Sequence, residues 1–144
     1  MTTLALKFGI IAFDSRMTQG DLVSGSVVKG VKTAKYLAAA AGDPEDIRAY
    51  LDWVKDGALK SHKAKFGLNR KVNIEGICVS KDGTVTHYDG RLYPYKVRAD
   101  FHAVGSGKDI AVGAMAAGAS AYDAVKIAAK YDKNTGGRIR KLSF

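Results

Sequence analysis

The stretch Tyr36-Leu37-Ala38-Ala39-Ala40-Ala41 carries no charge and stops at Gly42. Alanine favours helix. Yet the run ends at a glycine and meets a fresh helix start at once, Asp43-Pro44. The segment therefore reads as a buried strand that feeds a helix. Asp43 is a good N-cap, Pro44 suits the first helical position, and Asp46 follows three residues after the cap. Ile47, Tyr50, Leu51 and Val54 then fall on one helical face, and Gly57 is a stop.

The rest of the chain is mostly strand and turn before that helix and mostly helix near the end. Thr3–Leu6 and Ile10–Phe13 are short apolar runs around a glycine-bearing turn, which predicts a buried β-hairpin. Residues 17–26 read as a polar loop with a short strand at Leu22–Ser24, and Val27-Val28 opens another strand. Residues 58–71 read as a basic loop or irregular helix. Ile74–Ser80 and Thr84–Tyr88 flank an Asp-Gly turn and predict a second hairpin. Leu92–Tyr95 is extended, and Phe101–Val104 is a strand ending in Gly105-Ser106-Gly107.

Ile110–Gly118 reads as a helix of small residues. Ser120 caps a further helix, with Ala121, Ala124, Val125, Ala128 and Ala129 along one stripe. Arg138–Leu142 reads as a last strand. Strands, helix, strands, two helices, strand is not the alternation of a parallel α/β sheet. It predicts an α+β fold with antiparallel sheets covered by helices.

Composition narrows the function classes. The 144 residues are expected to form one domain, 1–144, with room for one core. The single cysteine, Cys78, excludes an internal disulfide and reads as a small buried hydrophobe. No apolar run approaches the roughly 20 residues of a membrane span, and Lys7 and Asp14 interrupt the first apolar stretch, so no secretory signal is visible. A cytoplasmic protein is the expectation. The net charge of +9 raises nucleic-acid binding. Its cations gather at Lys55–Lys71 and at Arg138, Arg140 and Lys141, without groove-reading elements, so a solvated basic surface is the simpler reading. His62, His87 and His102 have no metal-ligand spacing. Neither a metal nor an organic cofactor is expected.

The chemistry begins at the start of the chain, Met1-Thr2-Thr3. Removal of Met1 would leave Thr2 with a hydroxyl and a free α-amino group on one residue, a self-contained nucleophile and base. That amine has an ordinary pKa of about 7.7–8.0, so it is partly neutral near physiological pH. Taken alone, Met-Thr-Thr is only a start. Likewise Asp14 alone caps a strand end, Lys29 alone is a surface lysine, Ser106 alone is a turn residue and Asp132 alone ends a helix.

Taken together they form a series. Thr2-Thr3-Leu4-Ala5, Gly9–Arg16, Lys29 and Ala41-Gly42-Asp43, followed by Gly105-Ser106-Gly107 and Asp132-Lys133-Asn134-Thr135-Gly136-Gly137, resemble the proteasome β-subunit family. That family includes the bacterial heat-shock-locus V peptidase and its bacterial and phage relatives. The resemblance runs from Thr2 to about Leu142. It implies the αββα sandwich of N-terminal-nucleophile (Ntn) hydrolases, two antiparallel sheets between helix layers.

Carried over residue by residue, the resemblance makes Thr2 the nucleophile of a threonine peptidase. Asp14 is the acid that holds the catalytic lysine, and Lys29 is the match to that lysine. Gly30 falls where strict spacing from Asp14 would put it, and Lys32 is the rival. Gly42 is the oxyanion donor, and Ser106, Asp132 and Thr135 are the hydroxyl–acid–hydroxyl group around the N-terminal amine. Thr135 stands where serine is commoner. The first hairpin looks clipped.

The resemblance also implies a ring-shaped homo-oligomer, a peptide or unfolded-protein substrate and an AAA+ ATPase unfoldase as partner. A second reading stays open beside the peptidase: a non-catalytic structural or assembly protein, such as a virion component, that reuses the fold. The offset in lysine spacing favours it.

Overall fold

The computed structural model describes residues 2–57, 72–89 and 94–144. The expectations for 58–71 and for Leu92-Tyr93 lie outside the described residues. Along the chain run β1 (Thr3–Lys7), β2 (Ile10–Phe13), β3 (Arg16–Gln19), β4 (Leu22–Ser26), β5 (Gly30–Lys32), β6 (Tyr36–Gly42), α1 (Pro44–Lys55), β7 (Ile74–Ser80), β8 (Val85–Tyr88), β9 (Tyr95–Lys96), β10 (Phe101–Gly105), α2 (Lys108–Ala116), α3 (Ala121–Tyr131) and β11 (Arg140–Leu142).

Two antiparallel sheets result. One has the order β10-β1-β2-β11, the other β5-β6-β7-β8-β9, and β3-β4 is a separate ribbon. Side-chain alternation along each strand builds the layers. In β1, Leu4 and Leu6 join Ile11, Phe13, Leu37, Ala39, Ile77 and Val79 between the sheets. Ala5 points the other way and packs with Ala12 and Ala103 under α2 and α3. In β6, Ala38 and Ala40 face α1 with Cys78, Ile47, Tyr50 and Trp53. The order is α1, sheet, sheet, α2 and α3: the αββα sandwich.

Ala38 to Ala41 are all fully buried, which is why the run is so small: α1 and the facing sheet press on it from two sides. Tyr50, Trp53 and Tyr88 form an aromatic group under α1, with centroids 5.3–6.0 Å apart. Gly76 admits it, because a Cβ there would stand 2.9 Å from the Tyr50 ring. Burial pushes the Cys78 thiol up to about 12, which suits an inert core residue.

The structure differs from the sequence expectations at three places. Residues 17–26 form a two-stranded ribbon, not a loop; its Leu22 and Val23 are exposed, so no buried apolar face marked it. Val27-Val28 opens no strand, because pairing with β6 starts at Gly30. Asp43 occupies the N-cap position, but its side chain accepts from Asn73 Nδ2 at 3.1 Å and makes no bond to the helix. Asp46 accepts from the Asn73 backbone N–H at 2.9 Å, so both acids serve the return of the chain into β7. Ser120, in contrast, accepts from Asp123 N–H at 3.1 Å as expected of a cap. Among the described residues, no helix is long and apolar enough to cross a membrane.

His87 on β8 and His102 on β10 meet across the two sheets, Nδ1 to Nε2 at 3.2 Å. Burial lowers the proton affinity of both rings, against the opposing pull of Glu75. The folded state thus binds fewer protons than the unfolded chain, whose histidines titrate near about 6.5. Stability from this pair is present above that pH and is lost as pH falls through it. The urea midpoint is expected to drop between pH 7.5 and pH 5, and the His87→Asn/His102→Asn double variant to lose most of that slope.

Candidate functional site

The register of the first sheet determines what surrounds the start of β1. Leu4 pairs with Phe13, so Asp14 arrives beside Thr3, and the Asp14 N–H donates to the Thr3 carbonyl at 3.4 Å. On the other flank Thr3 pairs with Gly105, and Ser106 N–H donates to the Thr2 carbonyl at 2.8 Å. Lys29 comes from the second sheet, immediately ahead of β5, with its carbonyl accepting from Ala40 N–H at 2.9 Å. The strand ends of both sheets therefore converge on Thr2.

Thr2, Asp14 and Lys29 are all buried. Thr2 Oγ1 donates to Asp14 Oδ1 at 2.8 Å. Lys29 Nζ donates to Thr2 Oγ1, to Asp14 Oδ1 at 2.9 Å and to the Arg16 carbonyl at 2.7 Å. These bonds use all three donors of the ammonium. Asp14 Oδ1 also takes the Thr3 N–H at 3.3 Å, and Oδ2 takes the Gly136 N–H at 2.9 Å. Burial lowers the proton affinity of Lys29; Asp14 opposes this, and the Arg16 charge adds to the lowering. A lysine so placed is a cation held close to a hydroxyl, with its proton affinity set by its surroundings.

A second group lies on the far side of β1. Ser106 Oγ and Thr135 Oγ1 donate to the same Asp132 oxygen, at 2.5 and 2.6 Å. Burial raises Asp132, but these two bonds and the Asn134 N–H outweigh it and hold the carboxyl below its ordinary value. Thr135 Oγ1 also meets Thr3 Oγ1 at 2.7 Å. Thr3 thus links the strand to the Ser106–Asp132–Thr135 group. The sequence reading did not single it out, although a hydroxyl on the alanine-bearing face of β1 was a usable signal.

A cleft of about 100 Å³ opens beside Thr2 and Lys29, lined also by Arg16, Met17, Val27, Gly42 and Ile47. Gly42 ends β6 with φ of 136°, and a Cβ there would stand 2.1 Å from the Asn73 carbonyl oxygen. Only glycine fits this close approach. All seven residues expected from the sequence thus lie around one strand end: Thr2, Lys29 and Gly42 line the cleft, Asp14 is buried beneath Thr2 and Lys29, and Ser106, Asp132 and Thr135 lie behind it. Lys32 is exposed on β5 and takes no part. Arg16, through its carbonyl, and Gly136, through its N–H, also hold the group; both lie inside motifs that the sequence shows, but the sequence assigns them no role. Among the described residues, no group of three His, Cys, Asp or Glu side chains has the arrangement of a metal site.

No protein-family model and no curated protein matches the chain. Solved structures do. Eukaryotic HslV from Trypanosoma brucei is 18% identical, with a TM-score of 0.71 and 99% of both chains covered. BPH from Thiobacillus denitrificans, solved in complex with epoxomicin, is 19% identical, with a TM-score of 0.70, 98% of this chain and 96% of that one covered. At such identities the likeness is one of fold. The chain has the HslV-like, proteasome-type Ntn-hydrolase fold that its motifs resemble.

Removing one partner of a buried ion pair leaves the other charge uncompensated, which costs about 3–5 kcal/mol. Lys29→Ala is expected to lower unfolding free energy by that amount in urea. Lys32→Ala, at an exposed site, is expected to change it by less than about 0.5 kcal/mol.

Proposed function

We propose that the chain is an N-terminal threonine peptidase that uses Thr2 after removal of Met1. The observation that carries the proposal is the position of Thr2 Oγ1 between a buried carboxylate and a buried ammonium, at the mouth of a cleft that a glycine backbone also lines. Two buried charges are expensive to desolvate. Their convergence on one hydroxyl is the pattern expected of an activated nucleophile.

In this reading the Thr2 α-amine, free once Met1 is gone, takes the hydroxyl proton directly or through a water. Oγ attacks the substrate carbonyl carbon, and the negative charge that develops on its oxygen is met by the Gly42 N–H. The C–N bond then breaks, and the leaving amine carries away the proton held by the Thr2 amine. An ester on Thr2 Oγ remains. Water attacks its carbonyl carbon and gives a proton to the same amine; the C–Oγ bond then breaks, the amine returns that proton to Oγ, and the acid product leaves with Thr2 restored. Lys29 stays a cation throughout and stabilises charge near Oγ. Asp14 holds Lys29, and the Ser106–Asp132–Thr135 group orients the amine end of β1.

The same proposal includes a peptide or unfolded-protein substrate, a cytoplasmic setting, a ring-shaped homo-oligomer and an ATPase unfoldase as partner. Epoxomicin, bound to the Thiobacillus denitrificans structure, is a candidate ligand of the Thr2 cleft.

Hydrolysis of a fluorogenic peptide by protein lacking Met1 tests the proposal. Thr2→Ala is expected to lower the rate by roughly a thousandfold or more, as loss of a nucleophile does elsewhere. The variant also unmakes the two buried hydrogen bonds of Oγ1, to Asp14 and from Lys29, at about 1–3 kcal/mol each. Full activity in Thr2→Ala would refute the assignment.

A further inference from the structure

Glu75 belongs to none of the groups above. It lies on β7, in the second sheet, opposite Ala41. Its carboxylate Oε2 accepts from the Gly105 N–H at 3.1 Å, in the first sheet. Among the described residues β10 is an edge strand of that sheet and pairs only with β1. The Gly105 N–H is served by no ladder bond, and a buried amide left unmet is costly. A carboxylate supplies the stronger, charge-assisted bond.

What hangs on Gly105 is the nucleophile. Gly105 is left-handed, with φ of 98°, and a Cβ there would stand 1.8 Å from the Thr2 carbonyl oxygen. The next residue donates its N–H to that same oxygen at 2.8 Å. The Gly105-Ser106 corner therefore lies flush on the Thr2 backbone, and Ser106 Oγ carries Asp132. Glu75 fixes this corner from the opposite sheet.

The charges facing Glu75 leave that bond undisturbed at neutral pH. His87 on β8, His102 on β10 and Tyr95 on β9 feel its charge. Burial keeps both histidines below their ordinary proton affinity, so neither ring competes as a cation for the carboxylate. Lys108 on α2 and Asp89 beyond β8 act on His87 in opposite directions.

We infer that Glu75 is a positioning residue for Thr2: by holding the Gly105-Ser106 corner against the Thr2 carbonyl, it sets where Thr2 Oγ stands relative to Asp14 and Lys29. The inference rests on the peptidase reading, and its test separates the two. Full-chain protein lacking Met1 is titrated to completion with a β-lactone by intact mass, which counts competent sites. Adduct formation and peptide hydrolysis are then timed per titrated site.

Glu75→Ala is expected to keep most sites but to slow both rates per site by between about tenfold and a hundredfold, with KM within about twofold. Glu75→Gln keeps an acceptor oxygen and is expected to restore most of the rate. Glu75→Asp keeps the charge but falls short of Gly105 and is expected to remain slow, so this pair decides the matter even if Glu75→Ala does not fold. Wild-type rates per site in Glu75→Asp, or equal loss in Glu75→Gln and Glu75→Asp, overturns the inference and leaves the peptidase reading standing. Wild-type protein that takes no adduct overturns both.

Discussion

The buried ion pair between Asp14 and Lys29 is the constraint around which the rest is arranged. Its partners come from different sheets, so it fastens the sandwich at one end. Both charges lie at or below 2% exposure. Such a pair repays its desolvation only with good geometry and additional hydrogen bonds, and here both carboxylate oxygens and all three ammonium protons have partners. Lys29 spends its donors on Thr2, Asp14 and the Arg16 carbonyl. Asp14 collects Thr2, Lys29 and two backbone N–H groups. Replacing a buried ion pair by well-packed hydrophobic residues is often neutral or stabilising, so the arrangement fits the proposed chemistry at Thr2 better than a purely stabilising role.

The fold delivers these groups through register. β1 runs between β2 and β10, and the two neighbours end in Asp14 and in Gly105-Ser106. A slip of one residue would turn Leu4 and Leu6 away from the core. The apolar alternation that packs the sandwich therefore also fixes the site. The Asp132–Gly137 turn closes the arrangement from behind, where the Gly136 carbonyl accepts from Ser15 and Arg16 N–H and its own N–H reaches Asp14.

Much of this was legible in the sequence, for physical reasons that differ by segment. The alanine run of β6 and the amphipathic faces of α1 and α3 are strong signals because burial selects them. The site residues were legible as an ordered series of motifs, not through any single one. The choice between Lys29 and Lys32 was not, because counting from Asp14 ignores the ribbon between them. β3 and β4 pair with a register shift at Met17/Thr18, so a residue count does not translate into position, and Lys29 turns inward just before pairing with β6 begins. Glu75 and the His87–His102 pair were invisible for another reason. They are joined across sheets by residues far apart in the chain, and no local pattern marks such contacts.

Whether Thr2 is a working nucleophile can be read from intact mass. Protein from its native source is incubated with a Thr-reactive β-lactone and weighed, and the adduct is mapped. Loss of Met1 and one adduct, on Thr2, are expected. Retained Met1 with no adduct would contradict the peptidase reading, and would leave a structural or assembly protein in which Thr2, Asp14 and Lys29 serve only as scaffold.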